Sequence, residues 1–473
     1  LAQQHLDRLS AVDAAFLAQE GPSSHMHIGG VVLCEGPPPR GSEMLDHIRG
    51  RLHLVPRYRQ RLAHPPLESG RPVWVDDPSF DLEYHVRQTA LPAPGDEGQL
   101  LRLVARLMSH QLDRSRPLWE MWVVEGLADG GFAVISKTHH SLIDGIAGVD
   151  LATVIFDVTR EPAAIAHSGL PWRPRRTPDP LRLLMDSTMS MARAVAGGVA
   201  GAAAALVHPA DALRAVGAAA EGLGEVAWAT LNAAPSTPMN VPIGPDRRYA
   251  VVRNDLADFK LVKDAFGSTI NDVVLTVVTG ALRTWLQARG VRTEGLELRA
   301  LVPVSTRADV HRGHLGNRIT VIRGPLPVYI GDPIARLHAV KTAMDGLKES
   351  KQAVGAEMLT GAQSFAPPTV LAQASRLHFS TRLFNLIVTN VPGPQIPLYV
   401  LGREMQAVFP IAFLPKDHAL AVAIMSYNGH INFGLLADYD ALDDVDDIAG
   451  GIRDALAELV TLARRRTAPP QPA

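Results

Sequence analysis

The sequence predicts an α/β protein built as two sheet-bearing halves joined by a helical connector. Three observations carry that expectation. Short β-branched runs alternate with helix-period segments through residues 1–160, and the same alternation returns after Arg248. Between them lies a stretch bounded by proline clusters and poor in bulky side chains. The boundaries drawn from this pattern are 1–180 for a first lobe, 181–245 for the connector and 246–473 for a second lobe. With 473 residues, 47% hydrophobic and 20% charged, the chain can fill two cores.

The elements follow in order. Ile28–Glu35 is a short apolar strand closed by Gly and Pro. Asp96–Leu112 places Leu100, Leu103, Val104, Leu107 and Met108 at helical spacing. Leu118–Glu125 and Phe132–Thr138 read as strands around the turn Ala128-Asp129-Gly130-Gly131, and Asp144–Val158 as a helix. Pro162, Pro171, Pro174, Pro178 and Pro180, mixed with Arg173, Arg175 and Arg176, mark an exposed linker. Residues 181–232 are Ala-rich and helical in pattern, and Pro235, Pro238, Pro242 and Pro245 end them. In the second half Tyr249–Val252 is strand-like and Leu256–Phe266 helical. Ile270–Gly290 is a long helix with Thr269 as N-cap and Asp272 at its positive end. Leu298–Val304, Ile319–Arg323, Leu383–Asn390, Ala419–Tyr427 and Ile431–Leu436 read as strands, and Asp444–Arg466 as a closing helix.

Charge and composition exclude several classes. Lys plus Arg number 46 against 48 for Asp plus Glu, so no cationic excess points to nucleic acid. The single cysteine, Cys34, rules out an intrachain disulfide and any cysteine-rich metal site; it lies in an apolar strand and reads as a small buried hydrophobe. The opening residues carry no secretory apolar stretch. The longest apolar run, Ala194 to Val207, is shorter than the ~18–20 residues a spanning helix needs.

The segment Ser136-Lys137-Thr138-His139-His140-Ser141-Leu142-Ile143-Asp144-Gly145 carries the chemistry. It sits where a buried strand gives way to a helix, a frequent address for active sites in α/β folds. Adjacent residues at a strand end point to opposite faces, so only one histidine addresses a given cleft. That geometry argues against a His–His metal chelate. Asp144 opens the next helix and Gly145 permits close backbone approach.

The spacing His-His-x-x-x-Asp-Gly resembles the active-site motif of CoA-dependent acyltransferases related to chloramphenicol acetyltransferase and peptide-synthetase condensation domains. Further strings resemble the bacterial wax ester synthase/diacylglycerol acyltransferase family: Leu9-Ser10-Ala11-Val12-Asp13, Arg116-Pro117-Leu118-Trp119-Glu120, Thr269-Ile270-Asn271-Asp272-Val273-Val274, Leu301-Val302-Pro303-Val304-Ser305, Thr389-Asn390-Val391-Pro392-Gly393-Pro394 and Ser426-Tyr427-Asn428-Gly429. They span nearly the whole chain. The resemblance implies two chloramphenicol-acetyltransferase-like lobes, each a mixed sheet with packed helices, with a tunnel between them. It implies transfer of a long-chain acyl group from acyl-CoA to a fatty alcohol or diacylglycerol, giving wax ester or triacylglycerol. CoA is then a cosubstrate, with no metal or bound cofactor.

Carried over by position, His140 is the general base. It would take the acceptor hydroxyl proton during attack on the thioester and return it to the CoA thiolate. Asp144 holds the loop and His140, with Gly145 beside it, and His139 is structural or supports His140. Asn271 either polarises the carbonyl or positions the hydroxyl, or else only caps its helix. Asp272 shares that motif. Asn390, Pro392 and Gly393 form a rigid turn bordering the entrance for CoA or acceptor. Asn432-Phe433-Gly434 lacks the Asp of the superfamily's second motif, so no role is placed on it.

Other features have two readings. His25 and His27 face one side of an incipient strand, as tunnel wall or ordinary strand residues. Trp119 and Trp122 read as core. The arginines at 173–176 and 464–466 are solvated, or touch lipid headgroups or CoA phosphates. The Ala-rich connector suits a mobile cover or a membrane-facing surface. The expected setting is cytoplasmic, at the inner membrane face or a storage-lipid droplet. Two rivals stand beside this reading: a same-fold enzyme acting on a polyketide or glycolipid hydroxyl, and an inactive lipid-binding or scaffold protein.

Overall fold

A computed structural model describes residues 7–142, 154–161, 172–189, 233–305, 319–349 and 379–467. Asp144, Gly145 and connector residues 190–232 lie outside the described residues.

Two six-stranded sheets organise the chain. The first runs, in spatial order, Tyr399–Val400, Arg403–Ile411, His27–Cys34, Phe132–His139, Trp119–Glu125 and Val86–Ala90. The second runs Ile319–Leu326, Leu298–Ser305, Leu386–Pro392, Leu420–Tyr427, His430–Asp438 and Arg247–Asp255. Both are mixed. Val86–Ala90 lies parallel to Trp119–Glu125, and Leu386–Pro392 lies parallel to both its neighbours. A small sheet of Asp7–Arg8, Val73–Asp76 and Gln60–Ala63 flanks the first lobe.

Local chemistry fixes the helices that bound these sheets. Asp96 caps Glu97–Ser109 in a reciprocal box with Gln99. The buried ammonium of Lys137 closes the other end of that helix by donating to the carbonyls of Leu107, at 2.9 Å, and His110. In the second lobe Thr269 caps Ile270–Ala288, with Asp272 returning a bond to the Thr269 N–H at 2.8 Å. That helix and Leu256–Phe266 meet at 102° and are packed into the larger hydrophobic core. Among the described residues no single helix is long and apolar enough to cross a membrane.

The sheets do not respect chain order. Residues 399–411, expected within the second lobe at 246–473, are the edge of the first sheet, Phe409 pairing opposite Val31. The side chains explain the exchange. Ala407, Phe409 and Ile411 join the larger core, in which Val31 and Ile135 of the first sheet pack with the second lobe, while Met405 and Val408 join the smaller core of the first lobe. Contact is close enough that a Cβ at Gly434 would lie 1.9 Å from the Pro410 carbonyl oxygen. A helix through Val158 is also not what is found: Asp157 bridges Tyr399, although residues 154–155 are helical. Arg175, read as solvated, is exposed and also binds Asp76 through its backbone N–H at 2.9 Å and its guanidinium at 3.1 Å.

Candidate active site

The paired histidines end strand Phe132–His139 and begin the 3-10 turn His140–Leu142. Both flanking strands grip this end. The His139 N–H donates to the Leu118 carbonyl at 3.0 Å and the His140 N–H to that of Met26 at 2.8 Å. Leu118 belongs to the Arg116–Glu120 string, whose Trp119 anchors its indole N–H on the Tyr58 carbonyl at 2.8 Å. Trp119 and Trp122 are core, as is Cys34, whose thiol is pushed up by burial. The strand end is therefore rigid, and alternation sends the two imidazoles apart.

His140 enters an aromatic pocket assembled from both halves of the chain. Phe16 stacks on it at 4.0 Å between centroids, and Phe413 meets it edge-on at 5.5 Å. Phe379 packs against both phenylalanines, at 5.8 and 5.9 Å. His140 Nδ1 is buried with no partner from another residue, and burial, helped by neighbouring His139, pushes the imidazole down to about 4. His140 as a residue is partly exposed.

His139 faces the opposite way, into charge. Its Nδ1 accepts the Ser141 N–H at 3.1 Å and sits 2.6 Å from the Ser141 hydroxyl. Since a backbone N–H only donates, the neutral His139 proton belongs on Nε2. That atom is 3.6 Å from Glu20 Oε2, while His27 Nε2 is 3.3 Å from Glu20 Oε1. Burial alone would raise the Glu20 carboxyl. Contacts with His139, His27 and Arg114 outweigh it and hold the carboxylate well below its ordinary range. Burial pushes His27 down to about 3 despite Glu20. His25 lies on the same side, rings 5.6 Å apart, with Nε2 donating to the Pro22 carbonyl at 2.9 Å.

One helix, Ala11–Gln19, serves both faces. Ser10 caps it through the Asp13 N–H at 3.1 Å, its hydroxyl bonds the Asp13 carboxylate, Phe16 rides on His140, and Glu20 ends it beneath His139. Sequence reasoning recorded the Leu9–Asp13 string but missed Phe16 and Glu20. Their four-residue spacing on a capped helix was the available signal, since such positions share a face.

The second lobe brings two further strings together. Asn390 Nδ2 approaches Asn271 Oδ1 at 3.4 Å, at the start of helix Ile270–Ala288. Asp272 is buried in the cap. The Gly393 N–H donates to the Ser426 hydroxyl at 3.2 Å, and a Cβ at Gly393 would lie 2.2 Å from the Ser426 carbonyl oxygen. Pro392 ends the strand before that turn. Among the described residues neither Asn271 nor Asn390 hydrogen-bonds His140. Also among the described residues, no group of three or more His, Cys, Asp or Glu is placed to hold a metal ion.

The chain is similar to known proteins along nearly its whole length. The sequence pattern of the wax ester synthase/diacylglycerol acyltransferase catalytic domain matches residues 9–274, and that of the corresponding C-terminal domain matches 315–460. A probable diacylglycerol O-acyltransferase of Mycobacterium tuberculosis is 36% identical over 472 residues, covering 98% of this chain and 97% of that protein. A second, putative one from Mycobacterium bovis matches to the same extent. Among solved structures, the wax ester synthase/diacylglycerol acyltransferase from Marinobacter aquaeolei VT8 superposes with a TM-score of 0.70 at 28% identity, covering 97% of this chain and all of that one. The first condensation domain of the calcium-dependent antibiotic synthetase shares the fold at 16% identity and a TM-score of 0.58, covering 98% of each chain.

Proposed function

The chain belongs to the wax ester synthase/diacylglycerol acyltransferase family, and on that premise we propose that it moves a long-chain acyl group from acyl-CoA to a lipid hydroxyl with His140 as general base. The observation that carries the proposal is the pocket: a partly exposed His140, its Nδ1 buried, wrapped by Phe16 and Phe413. Burial keeps this imidazole unprotonated at neutral pH. Nε2 takes the proton of the acceptor hydroxyl as its oxygen attacks the thioester carbonyl. The tetrahedral oxyanion collapses, the C–S bond breaks, and the imidazolium protonates the departing thiolate. An apolar wall favours the acyl chain and excludes the water that would hydrolyse the thioester. Asp144 is assigned the holding of the His140 loop, with Gly145 beside it. Asn271, close to Asn390, is assigned the carbonyl or hydroxyl; Asp272 supports it through the cap. The turn at Pro392 and Gly393 is assigned to the substrate entrance.

A fatty alcohol and a diacylglycerol are both acceptors in this reading. Release of CoA from palmitoyl-CoA by purified protein is the test, with alcohol, with diacylglycerol and without acceptor. Acceptor-dependent release is expected. Release independent of acceptor would contradict the assignment.

The reading extends to contact with a membrane or lipid-droplet surface. In support, helix residues 180–189 turn Leu183 and Ser187 inward and expose Leu181 (66%) and Met185 (57%). Arg173, Arg176 and Arg182 lie exposed around them. The expected site is the cytoplasmic leaflet or stored lipid. Flotation with anionic vesicles is expected for the parent protein and reduced for Met185→Glu; equal flotation would contradict the contact.

A further inference from the structure

We propose that Glu20 is a positioning residue for His140, acting through His139 and Ser141; this rests on His140 being the base. Glu20 is almost wholly buried, with a side chain 2% exposed, and both oxygens are directed at catalytic-strand histidines or their neighbour. Oε1 faces His27 at 3.3 Å, on the strand paired with the catalytic one, where His27 stands opposite His139. Oε2 faces His139 at 3.6 Å and also receives the guanidinium of Arg114, the Nε at 2.7 Å. Arg114 also donates to the Leu17 carbonyl at 3.1 Å, which ties the carboxylate to its own helix. A carboxylate taken this far from water needs a reason to be there, since a packed apolar side chain would cost less.

The reason lies in what the carboxylate fixes. With the Glu20 carboxylate 3.6 Å from Nε2, its charge favours the His139 proton on that side and leaves Nδ1 to accept from Ser141, at 3.1 Å from the N–H and 2.6 Å from the hydroxyl. Those bonds hold the residues on both sides of His140. Because neighbouring strand residues alternate, fixing the His139 ring toward Glu20 fixes the His140 ring toward Phe16. The same helix supplies both Phe16 and Glu20, so it clamps the dipeptide from its two faces. The titratable and charged groups around the carboxylate are His25 and His27, His139 and Lys137, and Arg114. His139 is also the titratable neighbour through which His140 is reached.

Two variants test this. Glu20→Gln keeps shape and removes charge; Arg114→Met keeps the carboxylate and removes its most exposed partner. Glu20→Gln should lower kcat at least ~10-fold with KM within ~2-fold, the scale expected when a base is misplaced by a fraction of an ångström. The acid limb of the kcat/KM profile should move to lower pH in Glu20→Gln and to higher pH in Arg114→Met. Removing a negative charge disfavours an imidazolium, and unmasking one favours it. Glu20→Asp, with charge restored, should recover part of kcat. Parental kcat per folded molecule in Glu20→Gln, or acid limbs that do not move in the folded variants, would overturn the proposal. His140→Ala, run alongside, separates the two readings. An inactive His140→Ala beside a normal Glu20→Gln removes only the role of Glu20. A fully active His140→Ala removes the base itself. If Glu20→Gln does not fold, Arg114→Met decides by the direction of its limb.

Discussion

His139 and His140 are the same residue type one peptide bond apart, and their surroundings are opposites. His140 has phenyl rings for neighbours and no hydrogen-bond partner from another residue at Nδ1. His139 has a carboxylate, a second imidazole and a serine. The difference teaches how a fold divides labour within a dipeptide. Pleating separates the side chains; the apolar face keeps one imidazole neutral and available, and the ionic face immobilises the other.

Replacing the reactive member should have the largest effect. His140→Ala is expected to lower kcat by ~10²–10⁴-fold, the usual worth of a general base, with circular dichroism and melting unchanged apart from the lost packing. Parental turnover would show that the apolar face does not hold the base. Opening that face should cost less: Phe16→Ala removes the ring stacked on His140 and is expected to cost ~10-fold in kcat. It should also raise acceptor-independent CoA release, because water gains access. Measuring both rates separates misplacement from leakage.

A third prediction concerns pH and stability. His140 and His85 titrate near 4 and His27 near 3 in the folded protein, all below the ordinary 6.5. In that window the unfolded chain binds more protons, so stability rises with pH and falls as pH drops from about 6.5 toward 4. Denaturant midpoints across that range check the sign, and His85→Phe should flatten the slope. The smallest effect is expected at Cys34. Buried in its strand with the thiol pushed up, it should leave activity unchanged on brief exposure to a thiol-alkylating reagent.

Much of the frame was legible because it is written locally. Helix Leu256–Phe266 was readable with its observed bounds; in the structure Gly267, at a φ of +64°, ends it. The Thr269 cap was readable from Asp272 three residues on. Strand alternation alone foretold that the histidines would part, and the motif strings located them. What stayed hidden depends on contacts between distant segments. Nothing near residue 409 says that its strand will leave the second lobe to pair beside Val31. Nothing near residue 20 says that its carboxylate will meet residues 27, 114 and 139. A carboxylate closing a short helix normally reads as solvent-exposed, and only the packed fold shows it buried.

The most direct test of the contrast between the two faces is histidine-selective ¹⁵N NMR across a pH titration, with His140→Gln to assign the resonance. The account predicts that His140 stays neutral through pH 5–8, the Nδ1-protonated tautomer leaving Nε2 open, and begins to titrate only near 4. A His140 resonance that titrates near 6.5, or one with Nε2 carrying the proton at pH 7, would contradict it.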